Sequence, residues 1–534
     1  MFRSRTGPLP LALLALLAAV LAVVLPAAAS SAPPGCATRT NTTYETLLTC
    51  VTLEGVRAHQ AAFQAIADDN DDLVGAGTRA AGTSGYAGSV AYVEGLLEDA
   101  GYDVTLDEFP FTFVAASLTQ TAPVNGTYAT GAFTGSGAGE VTGPVIPVDI
   151  NLVPPRANTS GCDGAFTESA VGAPIVPDPG GPDDFVAFAA GSIALIQRGG
   201  CSFALKATNA QAASASAVII FNQGNTPDRE GLIIGTLAPF VASVPVVGAS
   251  FANGQALAQA GSTATVIVVQ ESRPQVNIIA EKTGVNDDNV VMAGAHLDSV
   301  LQGPGINDNG SGSAALLETA LMMANVKPQN TIRFAWWGAE EGGLLGSTAY
   351  VNGLSQAEED RIAMYMNYDM VGSPNYIFMV YDANQSSFPP PTGVPIPPGS
   401  AAIEDLYERY YTSIGEPYDD TQFSGRSDYQ AFILAGIPSS GLFTGAEGIK
   451  TSEQQAIWGG TTAAQFDPCY HLACDTFANN SSHALEVNSD LIAYAMLTFA
   501  FSTQSVNGVA GSAVPGSSSS PLPTPAGPEL TFVP

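Results

Sequence analysis

The chain has 534 residues, about three and a half times a typical domain, so at least two domains with full-sized cores are expected. Hydrophobic residues make up 46% and charged residues only 12%, a composition too apolar for a chain disordered throughout. The 49 acidic against 17 basic side chains leave a net charge of -32, which repels phosphate backbones and anionic surfaces and argues against a nucleic-acid partner. The same surface favours solubility and attracts cations or the amino ends of peptides.

Arg3 and Arg5 precede an apolar run from Leu9 to Leu25 and the small residues Ala27 to Ala32, the order of a secretory signal peptide over residues 1–30. The mature protein is therefore expected to be secreted, extracellular and free of the membrane. Six cysteines then permit 15 full pairings. Proximity favours Cys36 with Cys50, Cys162 with Cys201 and Cys469 with Cys474, bonds that persist in an oxidising compartment.

Residues 37–115 read as helices followed by strands: Glu54 to Ala67 has helical period, and Gly88 to Ala100 runs to a stop at Gly101 before the alternating Tyr102 to Phe113. Over 116–271 the texture turns to Gly, Ala, Thr, Val and Pro with short β-branched runs, predicting a mainly β insertion. Within it, Gly191 to Phe203, Lys206 to Ala213 and Ala217 to Asn222 resemble the protease-associated domain, a binding or lid module. From 272 to about 505 apolar strands alternate with helices: Val290 to Ala295, Ala314 to Ala324, Thr331 to Trp337, Ile362 to Met370, Ile403 to Ile414 and Gly436 to Phe443. That alternation predicts an α/β fold with a mainly parallel central sheet flanked by helices. Residues 506–534 end in a Pro/Ser/Gly-rich stretch expected to be a flexible tail.

Four histidines are present. Surface or capping roles suffice for His59 and His483, whereas His471 lies in the loop between Cys469 and Cys474. His296 ends an apolar strand, the place where catalytic groups gather in an open parallel sheet. Asp308 sits in the Gly-rich turn Gly303 to Gly312, Glu340 and Glu341 follow the strand ending at Trp337, and Asp369 closes the strand Ile362 to Tyr368. Histidines and carboxylates without thiolates suit zinc or a similar divalent ion, and hydrolases often set two such ions roughly 3.5–4 Å apart. A phosphate cradle is the rival reading of the turn, but it lacks the Gly-Lys-Ser/Thr ending. The Asp68 to Asp72 run lacks the Gly and terminal Glu of a hand-type calcium loop and reads as a solvated turn.

These residues stand in Gly294-Ala-His-Leu-Asp-Ser299, Gly305 to Gly312, Phe334 to Ser347, Met366 to Met370, Gly425 to Tyr429 and Pro468 to Thr476. Together the stretches resemble the secreted dizinc aminopeptidases that include aminopeptidase Y and bacterial leucine aminopeptidases. The resemblance covers 45–115 and 272–500, and implies a discontinuous zinc peptidase domain over 37–115 and 272–505 with the protease-associated domain at 116–271. It further implies that Asp308 bridges two zinc ions, with His296 and Asp369 on one and Glu341 and His471 on the other. Glu340 becomes the general base, Tyr470 the donor to the oxyanion, and Asp298 the partner of the second His296 nitrogen. Arg426 and Phe443 fall to the substrate pocket, and a non-proline cis peptide is expected after Asp308.

The implied activity is removal of a large apolar N-terminal residue such as Leu from peptides by a secreted monomer, the free amine meeting Glu340 and Asp369. The alternatives are a zinc carboxypeptidase with Arg426 on the terminal carboxylate, a glutaminyl cyclase, and a non-catalytic binding protein. Serine and cysteine hydrolases are excluded: there is no Gly-x-Ser-x-Gly elbow, and the cysteines are taken up in pairs.

Overall fold

The computed structural model describes residues 34–168, 183–389, 395–517 and 521–530; the apolar run of the expected signal peptide lies outside them. Two sheets organise the chain. The first has eight strands, and its central four, Asn330–Trp337, Asn286–His296, Ile362–Tyr368 and Ser439–Phe443, are mutually parallel. Antiparallel pairs appear toward both edges: Asp103–Phe109 on Gln275–Lys282, which pairs with Asn330–Trp337, and Met379–Tyr381 on Ser439–Phe443. The expected mainly parallel sheet is thus mixed, parallel where it matters for the site.

The central strands read as unbroken apolar runs because both faces are covered. Side chains of Val291, Ala293, Phe334, Trp336 and Met364 join one core with the helices Leu53–Asp69, Ser84–Asp99, Gly310–Met323 and Ser482–Phe501. Their neighbours Met292, Ala335, Trp337 and Tyr365 point the other way, against Leu345–Gly353 and Tyr429–Leu434. Each fully buried Val, Phe or Met side chain among these contributes about 1.5–3 kcal/mol. The helix starts follow side-chain caps: Thr52, Thr83 and Asn309 each accept a backbone N–H of the first turn. Thr83 caps four residues earlier than the periodicity beginning at Gly88 indicates, since polar Ser84 opens the helix.

The alternating stretch Tyr102 to Phe113 does not form one strand. It breaks after Phe109, and Thr112–Ala122 enters a second, seven-stranded sheet made with Gly126–Tyr128, Thr263–Ser272, Gly139–Val148, Ile193–Gln197, Ala217–Phe221 and Val246–Ala249. Pro110 at the break supplies no donor to a ladder. Helices Phe203–Ala212 and Phe251–Leu257 flank this inserted unit. Disulfides join Cys36 to Cys50, Cys162 to Cys201 and Cys469 to Cys474. The tail differs from its expectation: Gly527 donates to the Tyr418 hydroxyl, Glu529 to the Tyr418 carbonyl and Leu530 to Asp419. His59 is buried between Tyr92 and Glu318 rather than at the surface, whereas His483 pairs with Glu416.

Candidate active site

Three strand ends and one helix start deliver acids and a histidine to one end of the parallel strands. His296 ends its strand, Asp369 follows Tyr368, Glu340 and Glu341 follow Trp337 through the left-handed Ala339 (φ 54°), and Asp308 precedes the helix at Gly310. His471 comes from the disulfide loop and is itself left-handed (φ 56°), a conformation unfavourable for a side-chain-bearing residue. Two glycines make room. A Cβ on Gly303 would run into the Leu472 carbonyl, and one on Gly312 into the Tyr368 carbonyl, so the Asp308 turn can lie against both the His471 loop and the Asp369 strand end. The Asp308–Asn309 peptide is cis.

The result is a chain of alternating bases and acids. Asp308 Oδ1 lies 3.3 Å from His296 Nε2, and Asp308 Oδ2 lies 3.2 Å from His471 Nε2. Asp369 is 3.3 Å from the same His296 nitrogen, and Glu341 is 3.1 Å from that of His471. Glu340 stands back at 3.9 Å from His296. The structure therefore gathers all five expected ligands and the expected base at one place.

Asp298 faces the second His296 nitrogen, as expected, chiefly through its backbone carbonyl. The His296 Nδ1 lies 3.1 Å from the Asp298 backbone carbonyl and 3.7 Å from its carboxylate. The carboxylate accepts instead the backbone N–H groups of Glu340 (3.0 Å) and Glu341 (3.3 Å), fixing the loop that presents both acids.

Several positioning residues escaped the sequence reading. Asp475 accepts the N–H groups of Asn307 and Asp308, and Ser427 donates to Asp369 at 2.7 Å; both sit inside motifs already singled out, without a role. Arg79, fully buried, donates to the carbonyls of Leu297, Pro304 and Gly305. It stands in no motif, and only its isolation in a small-residue stretch marks it.

The electrostatics call for cations. Burial and the Asp308 charge push Glu341 up to about 8, and burial foremost raises Glu340 well above its usual range. Burial opposes protonation of His471, yet hydrogen bonds to Asp308 and Glu341 outweigh it and carry the imidazole to about 10. Glu341 Oε1 is buried with no hydrogen-bond partner in the protein, and Asp369 Oδ1, though 3.3 Å from His296 Nε2, has no well-formed hydrogen bond. Buried acids with orphaned oxygens beside two imidazoles form a donor set suited to a zinc-type ion. Two such triads converge, His296 with Glu340 and Asp369, and Asp308 with Glu341 and His471.

A cavity of about 360 Å³ opens beside these groups, walled by Met379, Tyr381, Phe443 and Phe466 with Arg426, Glu447 and Tyr470 at its polar side. The Tyr470 ring stacks on His471 with centroids 3.8 Å apart.

Comparison with known proteins follows the same lines. The model of peptidase family M28 matches residues 277–496, and that of the PA domain matches 141–257. An aminopeptidase of Pseudomonas aeruginosa is 44% identical over 470 residues, covering 86% of this chain and 83% of that one. The chain belongs to peptidase family M28. This M28 peptidase is also 44% identical to a probable leucine aminopeptidase 2 of Aspergillus fumigatus over 60% of its length and 65% of the relative's. Among solved structures it is similar to BSAP, a zinc aminopeptidase from Bacillus subtilis, with TM-score 0.56 and 26% identity over 83% of this chain and 94% of that one. The protease-associated insertion is thus carried on an M28 peptidase fold.

Proposed function

We propose that this M28 peptidase is a secreted, zinc-dependent aminopeptidase that uses two ions to remove a large apolar N-terminal residue such as Leu from peptides. The observation that carries the reading is Asp308, whose two carboxylate oxygens each face a different imidazole, flanked by Asp369 on one side and Glu341 on the other. His296 and Asp369 would hold one ion, Glu341 and His471 the other, with Asp308 shared. When bound, zinc supplies the Lewis acidity that lowers the pKa of water and polarises the scissile carbonyl.

The chain's own residues do the rest. Glu340, set back from the imidazoles, takes the proton of the attacking water and returns it to the leaving amine. Tyr470 donates its hydroxyl to the developing oxyanion. Asp369 and Glu340 draw the free ammonium of the substrate, which confines cutting to chain ends, while Met379, Phe443 and Phe466 accept the apolar side chain. The carboxypeptidase reading loses its anchor, since Arg426 is already paired with Glu447 at 2.7 Å. Secretion is supported by the leader pattern of residues 1–30, by three disulfides, and by the lack, among the described residues, of a helix long and apolar enough to cross a membrane.

The test is release of chromophore from leucine p-nitroanilide by the mature protein before and after chelation and zinc restoration, beside Glu340→Gln. Zinc-restored activity that drops by ~10²–10⁴-fold in the variant, with metal content unchanged, is expected for the loss of a general base. Inactivity of the metal-loaded wild type across aminoacyl substrates would sink the proposal.

A further inference from the structure

A second acidic cluster lies away from the site described above. Glu404 and Glu408 are four residues apart on one face of the helix Ser400–Ile414, and Asp420 meets them from the strand Asp419–Thr421. One ligand oxygen from each lies within 4.8 Å of the others, and all three residues are buried, at 0%, 6% and 3% exposure. Like charges at this helical spacing repel each other. The cation on the same helix, Arg409, is turned to Asp405 at 2.6 Å.

Glu408 is hydrogen-bonded to Tyr418, whereas the hydrogen bonds to Glu404 and Asp420 use one side of each carboxylate and leave the other bare. Glu404 accepts the Asn384 N–H with Oε2, and Asp420 accepts the hydroxyls of Ser386 and Ser387 with Oδ2. Glu404 Oε1 and Asp420 Oδ1 are buried with no partner in the protein. A carboxylate oxygen stripped of water and left unbonded is costly unless a cation or a proton meets it. Burial pushes Glu404 up to about 9 and Glu408 up to about 7, so without a cation Glu404 retains its proton near neutrality and Glu408 shares one only in part.

We propose that Glu404, Glu408 and Asp420 bind a hard divalent cation of the calcium type, at a site separate from the zinc-binding residues. The three donors are all carboxylate oxygens, which favour a hard cation such as calcium over the softer ions that imidazole favours. The ion would tie the helix Ser400–Ile414 to the strand Asp419–Thr421, whose last residue, Thr421, together with Gln422 and Ser424 lines the catalytic cavity. Calcium is thus assigned a bracing role on one cavity wall and no part in the chemistry.

The test uses full-length, zinc-saturated mature protein. Millimolar CaCl2 is expected to raise the thermal midpoint by at least ~2 °C, and Tb3+ to give tyrosine-sensitised luminescence that Ca2+ displaces at one ion per chain. Glu404→Gln and Asp420→Asn should each abolish both responses while zinc content stays the same. Absence of Ca2+-displaceable Tb3+ in the wild type overturns the proposal even if neither variant folds, and so does an unchanged calcium response in folded variants.

Discussion

Arg426 donates from Nη2 to the phenolic oxygen of Tyr470 across 3.2 Å, while its Nη1 is held by Glu447. The guanidinium occupies a lone pair of the phenol and leaves the phenolic proton free to point at substrate. If Tyr470 is the oxyanion donor, this contact makes Arg426 a residue that acts through it. Tyr470→Phe is expected to lower kcat by ~10²–10³-fold with little change in KM, the size of loss seen for one oxyanion donor. Arg426→Ala should lower kcat by about tenfold, and the double variant should be no worse than Tyr470→Phe alone. Additive losses in steady-state kinetics would instead put Arg426 on the substrate itself.

Metal content offers a separate check. If Asp308 is shared between two ions, elemental analysis of zinc-saturated protein should give two zinc per chain, and His471→Ala should retain one with His296 and Asp369 still in place. Retention of two after loss of His471 would show that the second ion does not need this imidazole.

The cavity wall makes a prediction about specificity. Met379 and Phe443 line a space suited to a branched aliphatic chain, so kcat/KM for leucine p-nitroanilide should exceed that for the alanine analogue by ~10–200-fold or more. Met379→Trp should fill the space and bring the ratio toward one. A ratio unmoved by this change would place the recognition of the side chain elsewhere.

A pH-dependent contribution to stability arises in the inserted domain. Lys206 is buried, donates to the Ser160 carbonyl, and is lowered to about 7 by burial, against the opposing pull of Asp184 and Glu168. The unfolded chain keeps this proton up to about 10.5, so between pH 7 and 10.5 the unfolded state binds more protons and stability rises with pH. Below pH 7 both states are charged and the burial penalty stands in full. Lys206→Met should flatten the rise, by up to about 1.4 kcal/mol per pH unit, when urea midpoints of the full chain are compared at pH 7 and 9. Equal slopes for both proteins would count against the assignment.

Four of the expected metal ligands were legible because they stand where an apolar strand stops or a Gly-rich turn starts a helix, signals that survive in one dimension; His471, in the disulfide loop, was marked by the family resemblance instead. Asp298 faces His296, two residues before it, as expected, whereas the Glu340 and Glu341 amides its carboxylate accepts are distant in sequence and meet it only after folding. The break at Phe109 was hidden because strand alternation has the same period in both sheets, though Pro110 marked the place. Glu404 and Glu408 carry no mark in the sequence, and only the loop at Asn384 to Ser387 and the strand at Asp420 reveal that they are covered.

The route by which the chain enters and leaves the insertion carries a further consequence. Phe109 pairs with Gln275 in the peptidase sheet, and Thr112 pairs with Ser272 in the other. Departure and return thus run side by side as a two-stranded ribbon. During synthesis the strand Asp103–Phe109 must wait, unpaired, until the whole insertion has left the ribosome and Gln275–Lys282 emerges. An insertion that folds promptly holds those two strand ends together and turns a distant encounter into a local one. Such an insertion would act as a clasp for assembly of the catalytic domain.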